Sequence, residues 1–160
     1  MGIEYRMTED RQLVRRIVTH PKIWPWMVED GASPENFDPV IHEKIHYVLA
    51  LDGRVPLALF MFEPRTSVKY NIHMAIIPSQ WPRAVEAICG VIRWAWDRIP
   101  GCARIAGEIP ADNRHTLRLA KKAGFEMVGT EAEAFLRRGK LQDVRIVGVS
   151  KSRKDHSTCQ

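Results

Sequence analysis

Long apolar runs are missing from this sequence. None of its hydrophobic stretches approaches the roughly 20 residues that cross a bilayer. Met1 to Arg16 carries acids where a secretory leader has an apolar core. These absences predict a cytoplasmic protein with no membrane partner. Cysteine is scarce too: there are three, with no CxxC or Cys/His ligand spacing, so neither a disulfide framework nor a metal centre is expected. Cys89 and Cys102 sit in apolar surroundings and read as buried free thiols, and Cys159 lies in the tail. Internal repeats and low-complexity tracts are absent as well.

The remaining composition is that of an ordinary globular chain, 45% apolar and 27% charged over 160 residues. That length suits one well-cored domain and is too short for two. The charge is unevenly distributed. Residues 1–80 hold nine Lys/Arg against ten Asp/Glu, whereas residues 81–160 hold fifteen against nine. A basic second half predicts an anionic ligand for that half. Nucleic acid is disfavoured, because no aromatic-basic interleaving accompanies the charge; a phosphorylated small molecule satisfies it equally well.

Periodicity divides the chain into elements. A short strand is predicted over Gly2–Met7, then a helix capped by Thr8 that runs to about Thr19. The Pro- and Trp-rich stretch that follows reads as a broken helix and a loop. "HYVLALDGRVPLALFMFE" alternates as two strands joined at Asp52-Gly53, and "SVKYNIHMAII" is a third strand ended by Pro78. Trp81–Ile99 carries a helical stripe of Val85, Ile88, Cys89, Ile92 and Trp96. "ARIAGEI" is the next strand. A helix from Asn113 to Ala123 stops at Gly124, and strands over about 125–136 and 144–150 close the domain around Gly139. The order β-α-α-β-β-β-α-β-α-β-β predicts an α+β domain over residues 1–150, with a flexible polar tail at 151–160.

The most informative stretch is "IPADNRHTLRLAKKAGFEMVG", residues 109–129. Its helix starts directly after a strand, and free N–H groups at such a start attract anions. Asn113 can cap that helix or offer its amide to a ligand between strands; capping is the commoner role.

Asn113, Leu119, Gly124-Phe125 and Gly129 resemble the second motif of the GNAT superfamily of N-acetyltransferases, and the element order over most of the chain resembles that fold. The Pro- and Trp-rich early stretch is similar to small phage and prophage members. The resemblance implies a central mixed sheet of six to seven strands with about four helices. It also implies two parallel strands that splay apart to admit acetyl-CoA as co-substrate. Ile76 and Ile77 would pair with the pantetheine arm, Arg83, Ala84 and Val85 would hold the pyrophosphate, and Asn113 would bond the arm from the other side. The family's pyrophosphate loop needs small residues, and here it reads Trp81-Pro82-Arg83-Ala84-Val85-Glu86. Pro82 has no N–H and Glu86 repels phosphate, so the loop looks degenerate unless Arg83 restores the charge.

Acetyl transfer to an amine needs a group that takes the amine's proton and one that protonates the leaving thiolate. The family's tyrosine donor falls at Ala120 and is absent. Tyr70 occupies the strand position for the base, His73 has a suitable intrinsic pKa and would reach the cleft through a strand bulge, and Glu108 is the third candidate. For His73 a hydrogen-bonded histidine under a helix, and for Glu108 a pairing with a nearby Arg, are the plainer readings. Trp24 and Trp26 lie where this fold borders its acceptor groove, or simply pack the broken helix. His42-Glu43-Lys44-Ile45-His46 matches the zinc-protease HExxH spacing, but Pro39 and the strand pattern at His46 argue against the two-turn helix that chemistry requires.

The resemblance therefore implies an acetyl-CoA-dependent N-acetyltransferase. Its acceptor would be a primary amine of a small molecule or protein, attacked directly in a ternary complex, with a homodimer compatible. A catalytically silent module of the same fold, such as a phage protein engaging a host protein, is the alternative.

Overall fold

The computed structural model describes residues 2–156. Its elements are β1 (Glu4–Thr8), α1 (Arg11–Val18), α2 (Trp24–Met27), β2 (His46–Asp52), β3 (Val55–Pro64), β4 (Lys69–Ile76), α3 (Ala84–Arg98), β5 (Arg104–Pro110), α4 (Arg114–Lys122), β6 (Glu126–Arg137) and β7 (Lys140–Ser150). The order is the one the periodicity predicts. The seven strands form one sheet, β1-β2-β3-β4-β5-β7-β6, antiparallel throughout except for the central β4–β5 pair.

Strand alternation sorts side chains onto the two faces. On one face Val48, Phe60, Phe62, Ile72, Ile76, Ile105 and Val147 pack beneath α3 and α4, against Ile88, Ile92, Leu119 and Ala120. On the other, Tyr47, Leu49, Leu59 and Ala75 pack beneath α1, against Val14, Ile17 and Val18. No helix among the described residues is long and apolar enough to cross a membrane.

Local differences from the sequence reading have local causes. Asp10, not Thr8, caps α1 by accepting from the Leu13 N–H, while the Thr8 hydroxyl accepts from the Asp10 N–H just before the helix. Asp52 pairs with Val55, so the β2–β3 turn is centred on Gly53-Arg54, with Gly53 at φ +59°. Pro82 keeps Pro78–Arg83 in a 3-10 helix, and α3 begins only at Ala84. Where the sequence predicts a polar tail, Lys151–His156 winds into another 3-10 helix. Cys102 is buried and free as expected. Cys89 is disulfide-bonded, a correction to the reading as a free thiol. Cys159 lies outside the described residues.

Candidate functional site

The central parallel pair is short. Lys69, Tyr70 and Asn71 pair with Arg104, Ile105 and Ala106, and there the β4–β5 pairing ends. Beyond that point β4 stays with β3 as far as Ile76 opposite Ala58, and β5 stays with β7 as far as Pro110 opposite Val144. The sheet forks, and the gap opens into a cleft of about 670 Å³ with Ile72–Ile76 along one wall and Gly107–Pro110 along the other. The β4 edge facing the gap is a ready template for an extended, amide-bearing ligand.

Helix α4 closes one end of the cleft. Asn113 is buried at its N-cap, and Oδ1 accepts from the Thr116 N–H at 3.2 Å. Its side-chain amide nitrogen makes no hydrogen bond among the described residues, so the two roles open at the sequence level are compatible. The helix ends in a Schellman pair, Phe125 N–H to the Ala120 carbonyl and Gly124 N–H to the Lys121 carbonyl, with Gly124 at φ +89°. This stop turns the chain straight back into β6. It leaves Arg114 and Arg118, one helical turn apart, lining the cleft beside Ala120. Trp81 and His115 meet edge-on at 4.1 Å, linking the segment before α3 to α4 at the cleft wall.

The start of α3 contributes less to the cleft. Arg83 donates to Asp52 at 2.7 Å and to both Glu86 oxygens at 3.1 and 3.2 Å, so its guanidinium already serves two carboxylates. Glu86 pulls Arg83 further above its ordinary range, and the burial that opposes this is the smaller effect. Ala84 is buried in the core and Val85 packs against it. Neither these three residues nor Ile77 lines the cleft, whereas Ile76 and Asn113 do. The Gln80 and Ala84 amides donate to the Ile77 and Trp81 carbonyls within the 3-10 turn.

His73 and Glu108 both line the cleft; Tyr70 does not. Tyr70 lies where the strands are still paired, its ring 6.2 Å from His46. No bulge brings His73 in: the β3–β4 register is unbroken, and the fork itself exposes the residue. The His73 side chain is 45% exposed, with Nε2 3.7 Å from the Glu63 carboxylate, so it is not a core histidine. Among the described residues Glu108 has no arginine partner; it accepts from Asn71 Nδ2 at 3.2 Å.

The far wall is held by a residue the sequence reading did not single out. Arg137 is 4% exposed and donates to Asp112 at 2.7 Å and to the Trp26 carbonyl at 3.1 Å, its guanidinium 4.8 Å from the Phe135 ring centre and 5.4 Å from that of Trp26. It ties β6 to α2 and to the loop before α4. Trp26, Asp112 and Phe135 all line the cleft as a result. At the hairpin tip the Asp30 carboxylate accepts from the Arg138 and Gly139 amides, and Asp30 N–H donates to the Leu136 carbonyl. Only the four-residue spacing of Arg114 and Arg118 was readable beforehand; Arg137 is one basic residue among fifteen in its half.

A seven-stranded mixed sheet with a forked central parallel pair, crossed by helices on both faces, is the architecture of the GNAT acetyltransferases, and this chain has that fold. Among solved structures it is similar to spermidine N-acetyltransferase from Vibrio cholerae in complex with CoA and spermine, at 16% identity over 94% of this chain and 96% of that one, with a TM-score of 0.76. A spermidine N-acetyltransferase chimera from Vibrio cholerae gives 16% identity, 95% and 97% coverage and a TM-score of 0.78. The spermidine/spermine enzyme of that organism in complex with manganese ions gives 14%, 94% of each chain and 0.68. No family model matches the chain, and neither does any curated protein.

Proposed function

We propose that this protein is an acetyl-CoA-dependent N-acetyltransferase acting on a primary amine of a small molecule or protein, by direct attack in a ternary complex. The observation that carries the reading is the fork after Asn71 and Ala106, which leaves an unpaired β4 edge opposite a cleft lined by Asn113, Arg114 and Arg118. These residues suit the cofactor: a strand edge and a side-chain amide for its amide-rich arm, and two guanidiniums for its phosphates. Ile76 and Ile77 end that edge. Arg83, Ala84 and Val85 remain the pyrophosphate residues that family resemblance supplies, with α4 adding the charge that Arg83 spends on Asp52 and Glu86.

Acetyl-CoA supplies an acetyl group activated as a thioester. His73 takes the proton that the acceptor ammonium must lose, directly or through one water, and Glu63 stabilises the imidazolium. Glu108, fixed by Asn71, holds the ammonium before that transfer. Tyr70, below the fork, acts only by positioning β4. The free amine nitrogen then attacks the carbonyl carbon, the carbon–sulfur bond breaks, and the thiolate leaves with the proton that nitrogen gives up. Among the described residues the cleft lining contains no tyrosine to serve as thiolate acid, so water relays that proton from nitrogen to sulfur and positioning carries most of the rate.

The silent binding module is favoured by one observation, the full pairing of Arg83. Calorimetric titration with CoA separates the two readings. The enzyme reading expects saturable binding, weakened about tenfold or more by Asn113→Ala and by Arg118→Ala, together with amine-dependent release of free thiol. No heat at millimolar CoA leaves the binding module.

A further inference from the structure

A second cavity, of about 300 Å³, lies on the α1 face of the sheet beside the cleft. Its walls are mainly apolar: Trp24 and Phe37 meet edge-on at 5.5 Å on one side, and Tyr47, Leu59 and Met61 form the sheet floor. His73, Ala75 and Met27 line this cavity and the cleft alike, so the two spaces adjoin at the fork. Of its two carboxylates, Asp38 is bound through both oxygens by Arg11 at 2.8 Å, at the outer end. Glu63 stands at the inner end, 3.7 Å from His73 and 3.6 Å from Arg65.

This distribution selects among amines. A polyamine laid along this cavity would place every ammonium group beyond the first against apolar walls and an Asp38 already bound by Arg11, which is unfavourable. A molecule with one ammonium and an apolar body leaves no charge unpaired. Its head reaches the His73–Glu63 pair, and its body replaces water against Trp24, Phe37 and Met61. The volume suits one aromatic ring or a short alkyl chain and is at the lower limit for ligand pockets.

We propose that the acceptor is a primary monoamine with an aryl or alkyl body, seated in this cavity with its nitrogen at His73. The proposal rests on the acetyltransferase reading of the cleft, and its test keeps the two apart. With purified full-length protein and acetyl-CoA, thiol release is measured for 2-phenylethylamine, hexylamine and spermidine. The apolar monoamines are expected to exceed spermidine by about tenfold or more in kcat/KM. Val28→Trp, in the loop after α2 that borders the cavity, is expected to raise the monoamine KM at least about tenfold with CoA affinity unchanged. Phe37→Ala, which widens the cavity, is expected to shift preference toward longer-bodied amines. Binding of 2-phenylethylamine is followed by calorimetry with and without CoA, which needs no turnover. If it binds wild-type protein and not Val28→Trp, the cavity assignment stands even where CoA fails to bind, and only the cleft reading falls. Binding in neither form, or a preference for spermidine that Val28→Trp leaves untouched, overturns the cavity assignment.

Discussion

Truncating Arg137 tests whether the cleft wall is held as described. Arg137→Ala removes two hydrogen bonds from a charged donor, to Asp112 and to the Trp26 carbonyl. Bonds of this kind contribute about 1.5–3 kcal/mol each. Asp112 is 29% exposed, so water rehydrates the abandoned carboxylate and the lower figure applies to that bond. The contacts with Phe135 and Trp26 at 4.8 and 5.4 Å add about 0.5–1 kcal/mol between them. A loss of about 4 kcal/mol is expected, which for a chain of this size lowers Tm by about 8–16 °C. Denaturant unfolding measures it, and a double-mutant cycle with Asp112→Ala should return a coupling of at least about 1 kcal/mol. Because α2 and the loop before α4 are joined only loosely without the guanidinium, the acceptor KM should rise more than the CoA dissociation constant. A loss below about 1 kcal/mol with no coupling to Asp112 would refute the clamp.

Three further perturbations follow from close contacts. A methyl group at Gly90 would lie 2.0 Å from the Tyr5 hydroxyl, so Gly90→Ala should destabilise the fold by about 1–3 kcal/mol despite alanine's better helix propensity, and Tyr5→Leu should relieve it; urea unfolding of both variants decides. Burial pushes the Tyr5 hydroxyl up to about 12 from an ordinary 10.0, so the unfolded chain loses that proton first and stability should fall as pH rises from 10 toward 12, less steeply in Tyr5→Phe. Asp30 is held below the ordinary carboxylate range by the Gly139 and then the Arg138 amides. Its contribution is therefore present above the unfolded pKa and lost as pH falls through the lower folded one. Hydrogen exchange at those two amides should accelerate in that acidic window, and at neutral pH in Asp30→Ala.

Much of the fold was readable because its signals act over two to four residues. The alternation in residues 46–63, the stripe from Val85 to Trp96, and the Asn113 cap with its Gly124 stop each depend on neighbours along the chain. The boundaries that shifted did so for equally local reasons: Asp10 competes with Thr8 for the first free amides, and Pro82 tightens the turn before α3. Asn113 and Ile76 line the cleft, whereas the loop counted as a pyrophosphate cradle turns its arginine toward the β2–β3 hairpin.

By itself, then, the sequence determined which segments are strands and helices, their order, and the basic character of the second half. The tertiary structure decided where β4 and β5 part, whose carboxylates Arg83 meets, that Arg137 lies buried, and that His73 stands between two cavities. Asp52 and Arg83 are 31 residues apart, and Trp26 and Arg137 are 111 apart. Contacts of that range are set by the strand order of a sheet, which no window of neighbouring residues encodes.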